Sequence, residues 1–146
     1  MNSYNDMRRN QAGYMDLTAY DAITNIEGKI RREKAEKPYP RTYVCSPFAG
    51  DMEGNAKRAE QYCRFVLTKK KFPIAPHLLL PRFMDDTNPA ERALALDFGI
   101  RLLKGCREIW VFGSRVSDGM AAEIQVAKKC GIKIRCFNEN CEEVIR

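Results

Sequence analysis

The stretch EIWVF, Glu108–Phe112, decides the fold, because a short, continuous apolar run of this kind is typical of a central strand in a parallel sheet. It is followed by the loop GSRVSDG, by a helix from Met120 to Lys129 that Gly131 closes, and by a second apolar run, IKIRCF. A strand, a helix and a strand in this order form a right-handed crossover between parallel neighbours. The stretch therefore predicts a parallel sheet that helices cover on both faces.

The same alternation extends towards the N terminus. TYVCS (42–46) and FPIA (72–75) are predicted strands. The helix predicted between them has an inward-facing stripe, which consists of Ala56, Ala59, Cys63 and Val66. A loop, PHLLLPRFMDDTN, leads to a helix that Asn88 caps and Pro89 begins, with a predicted buried stripe of Ala93, Leu96, Ile100 and Leu103. The sequence thus predicts an α/β fold, a Rossmann-like (flavodoxin-like) three-layer sandwich with a four- to five-stranded parallel sheet.

Residues 1–40 have a different pattern. The segment DLTAYDAITNIEGKIRREKAEK predicts one amphipathic helix, and Pro38 and Pro40 mark the boundary between this helix and the first predicted strand. We therefore expect an N-terminal helical extension, 1–40, and an α/β domain, 41–146. A lone helix cannot bury its apolar stripe, so we expect it to pack on the domain or on a partner subunit, in a homodimer or a higher homo-oligomer. The stripe consists of Ala19, Ile23, Ile26 and Ile30.

Composition narrows the class of protein. No apolar run approaches the roughly 20 residues that a membrane helix needs, and the polar N terminus lacks a signal-peptide centre, so we expect a cytoplasmic protein. The net charge of +6 admits a nucleic-acid partner, but lysines and arginines are interspersed, which makes this the weakest interpretation. Six cysteines without a Cys-x-x-Cys pair, beside one histidine, give no zinc spacing and predict reduced, mostly buried thiols and no metal.

The carboxyl ends of the predicted strands locate the ligand site, because open parallel sheets bind ligands there, where the strand order reverses. Ser117 is a predicted N-cap in one of these loops, and Gly119 allows close approach to the backbone. Glu123 follows in the first turns of the helix, where free amides and the helix dipole favour an ionised carboxylate. Such a carboxylate can attack an electrophilic sugar carbon, as in retaining glycosidases, or it can simply stabilise the helix.

The segments TYVCSPFAGD, REIWVFG and SDGMAAEIQVAKKCGIKI, in that order, resemble the nucleoside 2-deoxyribosyltransferase superfamily, which includes the 2′-deoxynucleoside 5′-phosphate N-hydrolases. Within it, the chain resembles an uncharacterised bacterial and phage branch. The resemblance covers roughly residues 41–137, and its most specific element runs from Ser117 to Glu123.

The resemblance implies a role for individual residues. Glu123 would attack the anomeric carbon of a deoxyribose, Tyr43 would hold that carboxylate or the sugar, and Asp97 would contact the nucleoside. Ser117 would bind the 5′-hydroxyl or 5′-phosphate. Since Pro47 and Ala49 stand where the phosphohydrolases carry serine and arginine, the expectation of a 5′-phosphate is weakened.

Three further residues lie at the predicted strand ends. His77 could contact a base or protonate a leaving group, or it could be structural. Phe48, in the loop that begins at Ser46, could stack on a base or pack within the loop. Together these features predict a nucleoside- or nucleotide-binding protein that cleaves or transfers at the N-glycosidic bond without a metal or organic cofactor. The alternative is a non-catalytic module that senses or sequesters a nucleotide.

Overall fold

The computed structural model describes residues 25–26 and 39–146. A division of the chain falls between Pro38 and Tyr39. The predicted N-terminal helix lies outside the described residues except for Asn25 and Ile26, which are helical. No helix in the described part of the chain is long and apolar enough to cross a membrane.

From Tyr39 onwards the elements are β1 (Arg41–Cys45), α1 (Met52–Thr68), β2 (Phe72–Ile74), two single 3-10 turns (Pro76–Leu78 and Leu80–Arg82), α2 (Pro89–Lys104), β3 (Glu108–Phe112), α3 (Asp118–Lys129), β4 (Lys133–Phe137) and β5 (Glu143–Val144).

The five strands form one sheet in the order β2-β1-β3-β4-β5, which is the flavodoxin-like order. The pairs β1–β2, β1–β3 and β3–β4 are parallel, whereas β5 runs antiparallel to β4. The predicted α/β architecture is confirmed, but the edge strand departs from a wholly parallel sheet. A parallel strand needs a long crossover, while the short connection from Phe137 to Glu143 allows only a tight return, which gives the antiparallel direction.

Successive residues of each strand point to opposite faces of the sheet, and this alternation builds two cores. Val44, Trp110 and Phe112 pack with Tyr62 and Val66 of α1 on one face. The rings of Tyr62 and Phe112 are stacked with their centroids 4.4 Å apart. The other core contains strand residues, Leu103 of α2 and two α3 residues, and its members are Tyr43, Cys45, Leu103, Cys106, Ile109, Val111, Met120 and Ala127. Helices therefore cover both faces of the sheet.

The predicted helix stripes are correct only in part. In α1, Ala59 and Val66 are buried as predicted, but Asn55 and Tyr62 complete the buried stripe in place of Ala56 and Cys63. The thiols are free, yet Cys45 and Cys106 alone among the six cysteines are buried, so the expectation of mostly buried thiols is wrong.

Helix α2 presents a different face to the sheet from the predicted one. Leu103 is buried, but Leu96 is 60% exposed and Ala93 is also exposed. Gly99 is buried instead, and a Cβ atom built there would lie 3.5 Å from the hydroxyl oxygen of Tyr43. The buried face of the helix therefore meets the phenol of Tyr43 at this glycine, within van der Waals distance. The predicted homo-oligomer stays a prediction.

Candidate active site

The candidate site lies where the connections of two neighbouring strands diverge. After β1 the chain passes to α1 on one face, and after β3 it passes to α3 on the other face. Such a divergence opens a crevice beyond the carboxyl ends of the strands. A cavity of about 540 Å³ occupies this position, lined by the two loops, by α1 and by the turn after β4: Ser46, Pro47, Ala49, Asp51, Asn55, Arg58, Tyr62, Gly113, Ser114, Arg115, Val116, Ser117 and Glu139.

Two of the predicted catalytic residues are in contact. The hydroxyl of Tyr43 donates a hydrogen bond of 2.8 Å to Oε1 of Glu123. Tyr43 is buried on the face of β1 that α2 and α3 cover, and Glu123 is half-buried on α3. Ser117 begins α3 as its N-cap, because its hydroxyl accepts the backbone N–H of Met120 at 3.3 Å. The fold therefore brings together two residues that are far apart in the sequence.

Burial controls the electrostatics of this pair. It raises the pKa of Glu123 above its ordinary value, and the hydrogen bonds from Tyr43 and Cys45 only partly oppose this effect. Burial and the neighbouring carboxylate also raise the pKa of Tyr43, so the phenol remains the donor. The position of Glu123 near the helix start predicts the opposite direction for its pKa, because the helix dipole favours the charged form. The loss of water around the carboxylate outweighs the dipole, and it cannot be seen in the sequence.

A second group surrounds the end of β1. Oγ of Ser46, which is buried, lies 3.0 Å from Nε2 of His77, and the His77 ring centroid is 6.2 Å from that of Phe48. Burial lowers the pKa of His77 to about 4. The imidazole is therefore neutral near pH 7, and it can exchange a hydrogen bond with Ser46. Of these three residues, Ser46 lines the cavity.

Two predicted site residues lie apart from both groups. Asp97 is exposed on α2, where its Oδ2 is 2.8 Å from Nη2 of Arg101. Gly119 is exposed at the start of α3, and a Cβ atom built there would meet nothing within 4 Å. Neither residue lines the cavity, and Tyr43 and Glu123 are not among its lining residues either. Their roles stay predictions.

Helix α1 supplies a wall of the cavity that the sequence analysis missed. Nδ2 of Asn55 donates to the backbone carbonyls of Phe48 and Ala49, each at 3.1 Å, and so fixes the loop after β1. Nη2 of Arg58 donates in turn to Oδ1 of Asn55 at 2.7 Å. A signal for Asn55 existed, because it lies four positions before Ala59 on the apolar face of a predicted helix. A polar residue on such a face needs a partner.

The turn after β4 supplies the remaining wall. Oε1 of Glu139 accepts hydrogen bonds of 2.7 Å from both the backbone N–H and the hydroxyl of Ser114. These bonds lower the pKa of Glu139 to about 2. The neighbouring carbonyl of Gly113 accepts a hydrogen bond from the Arg146 guanidinium. No local pattern in the sequence could have identified Glu139, because its partner lies in the loop after a different strand.

Comparison with known proteins agrees with this fold. The chain is similar to a solved 2-deoxyribosyltransferase from the psychrotolerant bacterium Bacillus psychrosaccharolyticus, described as a biocatalyst for the synthesis of antiviral and antitumoral nucleosides. The sequences are 18% identical, the TM-score is 0.55, and the match covers 73% of this chain and 77% of that chain. At this identity the likeness shows a shared fold. No curated protein matches the sequence significantly.

The sequence itself matches one family model, described as a domain of unknown function, DUF7768, over residues 40–137. The matched segment takes in β1 to β4 and the helices α1, α2 and α3. Since it covers more than half of the chain, this protein belongs to the DUF7768 family.

Proposed function

We propose that this domain binds a nucleoside and cleaves or transfers its N-glycosidic bond, with Glu123 as the nucleophile. The observation that carries the proposal is the 2.8 Å hydrogen bond from the Tyr43 hydroxyl to the half-buried carboxylate of Glu123. A carboxylate that has lost much of its water is more reactive than a solvated one, and the Tyr43 hydroxyl fixes the position of one of its oxygens. The shared fold with a 2-deoxyribosyltransferase supports the same chemistry.

The proposed reaction has two displacements at the anomeric carbon. Glu123 attacks that carbon, a bond forms between its carboxylate oxygen and the sugar, and the bond to the base nitrogen breaks. The base leaves with the electron pair and takes a proton from solvent or from another donor. Water or a second base then attacks the glycosyl ester and releases Glu123, as in retaining glycosidases.

Tyr43 is proposed as a positioning residue for this carboxylate. Its hydroxyl orients one oxygen of Glu123 and favours the charged form, which is the form that attacks. Without this bond, burial would raise the pKa of Glu123 further. The proposed role thus links a buried contact in the sheet to the ionisation state of the nucleophile.

The 5′ end of the nucleoside is proposed to lie in the cavity beside Ser117. This residue lines the cavity and begins α3, six positions before Glu123. Six helical residues span about 9 Å along the axis, and side chains of a helix tilt back towards its N terminus. These dimensions suit a pentose that lies between the two residues. The roles implied for Asp97 and His77 are not needed for this arrangement and stay predictions.

The test is an assay for release or exchange of the base. Deoxynucleosides, ribonucleosides and their 5′-monophosphates are incubated with the wild type, with Glu123→Gln and with Glu60→Gln, and free base is measured by chromatography. We expect Glu123→Gln to lower the rate by about 10³-fold or more, as for removal of other covalent nucleophiles. Glu60→Gln removes an exposed carboxylate from α1 and should retain the wild-type rate. Base release that persists in Glu123→Gln would exclude this nucleophile.

A binding module without catalysis is the second candidate. The observation that favours it is the pairing of Asp97 with Arg101 on the exposed side of α2. In this pair the carboxylate of Asp97 is bound to Arg101 and is not free to contact the nucleoside as the resemblance implies. In this case a nucleoside or nucleotide would raise the melting temperature and return chemically unchanged after long incubation. Recovery of free base would instead support the enzyme.

A further inference from the structure

The cavity at the carboxyl edge contains an internal anion. Oε1 of Glu139 takes both the backbone N–H and the hydroxyl of Ser114, each at 2.7 Å. Backbone amides and hydroxyls in the loops at this edge of a parallel sheet are the groups that usually meet an anionic part of a ligand. In this chain the two donors of Ser114 are therefore already engaged by a carboxylate of the protein itself.

The turn that carries Glu139 is well ordered by its own hydrogen bonds. Oδ1 of Asn138 accepts the backbone N–H groups of Asn140 and Glu142, each at 2.9 Å. The strand that comes next, β5, pairs with β4 at Phe137 and Cys136. The carboxylate is thus held at Ser114 by a turn anchored in the sheet, although the side chain itself is open to solvent.

The cavity is lined by charged side chains of both signs. Arg58 and Arg115 are positive, and Asp51 and Glu139 are negative. Arg146, which donates to the carbonyl of Gly113, adds a positive charge beside Glu139. Arg58 is also engaged, because its Nη2 lies 2.7 Å from Oδ1 of Asn55 and 3.7 Å from Oδ2 of Asp51. A phosphate dianion is bound by an excess of positive charge and by free N–H donors. The two donors of Ser114 are not free for a phosphate, whereas a hydroxyl can itself donate to the carboxylate of Glu139.

We propose that Glu139 determines the specificity of the site for the 5′ end of its ligand, so that a nucleoside with a free 5′-hydroxyl binds in preference to the 5′-monophosphate. The inference rests on the proposed function, which puts the 5′ end in the cavity beside Ser117. The carboxylate repels the phosphate and occupies the donors that a phosphate would use. A 5′-hydroxyl meets no such repulsion and can donate a hydrogen bond to the second oxygen of Glu139.

The test compares affinities in the absence of turnover. Isothermal titration calorimetry measures the affinity of the four common deoxynucleosides and of their 5′-monophosphates. The proteins are the Glu123→Gln variant and two double variants, which carry Glu139→Gln or Glu142→Gln in addition. Glu142 lies in the same turn, where it accepts a bond from Asn138 at 2.8 Å, and it does not line the cavity. Its substitution therefore removes the same formal charge from the neighbourhood without changing the proposed contact.

We expect the Glu123→Gln protein to bind a nucleoside at least about tenfold more tightly than its monophosphate. Glu139→Gln should reduce this ratio by about tenfold, and Glu142→Gln should leave it within about twofold. Glu139→Ala, which also frees the donors of Ser114, should reduce the ratio at least as far. Melting curves verify that each variant is folded.

Several results would overturn the inference. A ratio unchanged in folded Glu139→Gln and Glu139→Ala, an equal reduction in Glu142→Gln, or a preference for the monophosphate before Glu139 is changed would each overturn it while leaving the proposed function intact. Absence of binding by every nucleoside and nucleotide would overturn the proposed function, and the inference with it.

Discussion

Glu123 and Glu139 lie in the segments that follow two neighbouring strands, β3 and β4, yet their surroundings give the two carboxylates opposite properties. Glu123 is half-buried on α3, where it accepts a hydrogen bond from Tyr43, and burial raises its pKa. Glu139 is exposed to solvent in a turn, where two bonds from Ser114 lower its pKa to about 2. The comparison shows that the environment, and not the residue type, sets the direction in which the pKa of each carboxylate moves.

The difference is consistent with the separate tasks that we propose for the two carboxylates. A carboxylate with a raised pKa is a less stable anion, so it gains more when it forms a bond to an electrophilic carbon. A carboxylate with a lowered pKa keeps its proton off throughout the ordinary pH range and acts as a fixed charge. On this account Glu123 performs the chemistry and Glu139 selects the ligand. Substitutions that alter one carboxylate at a time can test this division.

Apart from removal of Glu123 itself, Tyr43→Phe should have the largest effect on the rate. A hydrogen bond to a charged group contributes about 1.5–3 kcal/mol, so its loss should lower the rate of base release by about 10- to 100-fold. The bond opposes the rise in the pKa of Glu123, so its removal should raise that pKa further. The acidic limb of the pH–rate profile, where the rate rises as Glu123 loses its proton, should therefore move to higher pH.

The pH–rate profile separates this role from simple packing, because Phe keeps the ring of Tyr43. A lower rate with an unmoved acidic limb would mean that Tyr43 only supports the fold. The matched control is Tyr62→Phe on the opposite face of the sheet, where Tyr62 stacks on Phe112 and touches the cavity but not Glu123. In that variant the acidic limb should not move.

Substitution of either glutamate by glutamine should have a smaller effect, which is a change in the free energy of unfolding. The sign of this change should be opposite for the two residues. The folded-state pKa of Glu123 is raised, so its ionisation costs stability once the pH rises above the ordinary value of 4.5. Glu123→Gln should therefore stabilise the protein at pH 7 by about 1 kcal/mol, or about 2–4 °C in melting temperature. This gain should disappear below pH 4.5, where the carboxyl group is protonated in both the folded and the unfolded protein.

Glu139→Gln should have the reverse effect. The folded-state pKa of Glu139 is lowered to about 2, so its charged form stabilises the protein above pH 4.5, and this stabilisation is lost as the pH falls towards 2. The melting temperature of Glu139→Gln should thus be below that of the wild type at pH 7 and should approach it as the pH falls through about 2. Melting curves of both variants across this pH range check the two signs. The same sign for both would contradict the comparison.

The sequence predicts those parts of the fold that depend on short-range patterns. The caps at Asn88 and Ser117 are confirmed, because a cap needs only its own side chain and the next few backbone amides. β3 is confirmed residue for residue as Glu108–Phe112, because a strand buried on both faces is continuously apolar. The prediction of four to five strands allows for a fifth strand but does not locate β5, because two paired residues give no detectable period.

The remaining parts depend on contacts between distant segments. The buried face of α2 was predicted from hydrophobicity alone, and Gly99 lies there, where it approaches the phenol of Tyr43. The contact of Glu139 with Ser114 joins the ends of two neighbouring strands, and nothing in either segment identifies the other. For Glu123, the sequence predicts its place on the helix, but only the packing around it reveals that its pKa is raised.

The most direct test of the central claim is the site of covalent attachment of the sugar. The wild type and Glu123→Gln are incubated with 2′-deoxy-2′-fluoro-arabinonucleosides, whose fluorine slows release of a glycosyl ester, and intact masses and peptide maps are recorded. The account predicts an increase by one glycosyl group, on Glu123, with free base released in equal amount, and no adduct on Glu123→Gln. An adduct on another residue, an adduct that persists in Glu123→Gln, or base release without any adduct would contradict it.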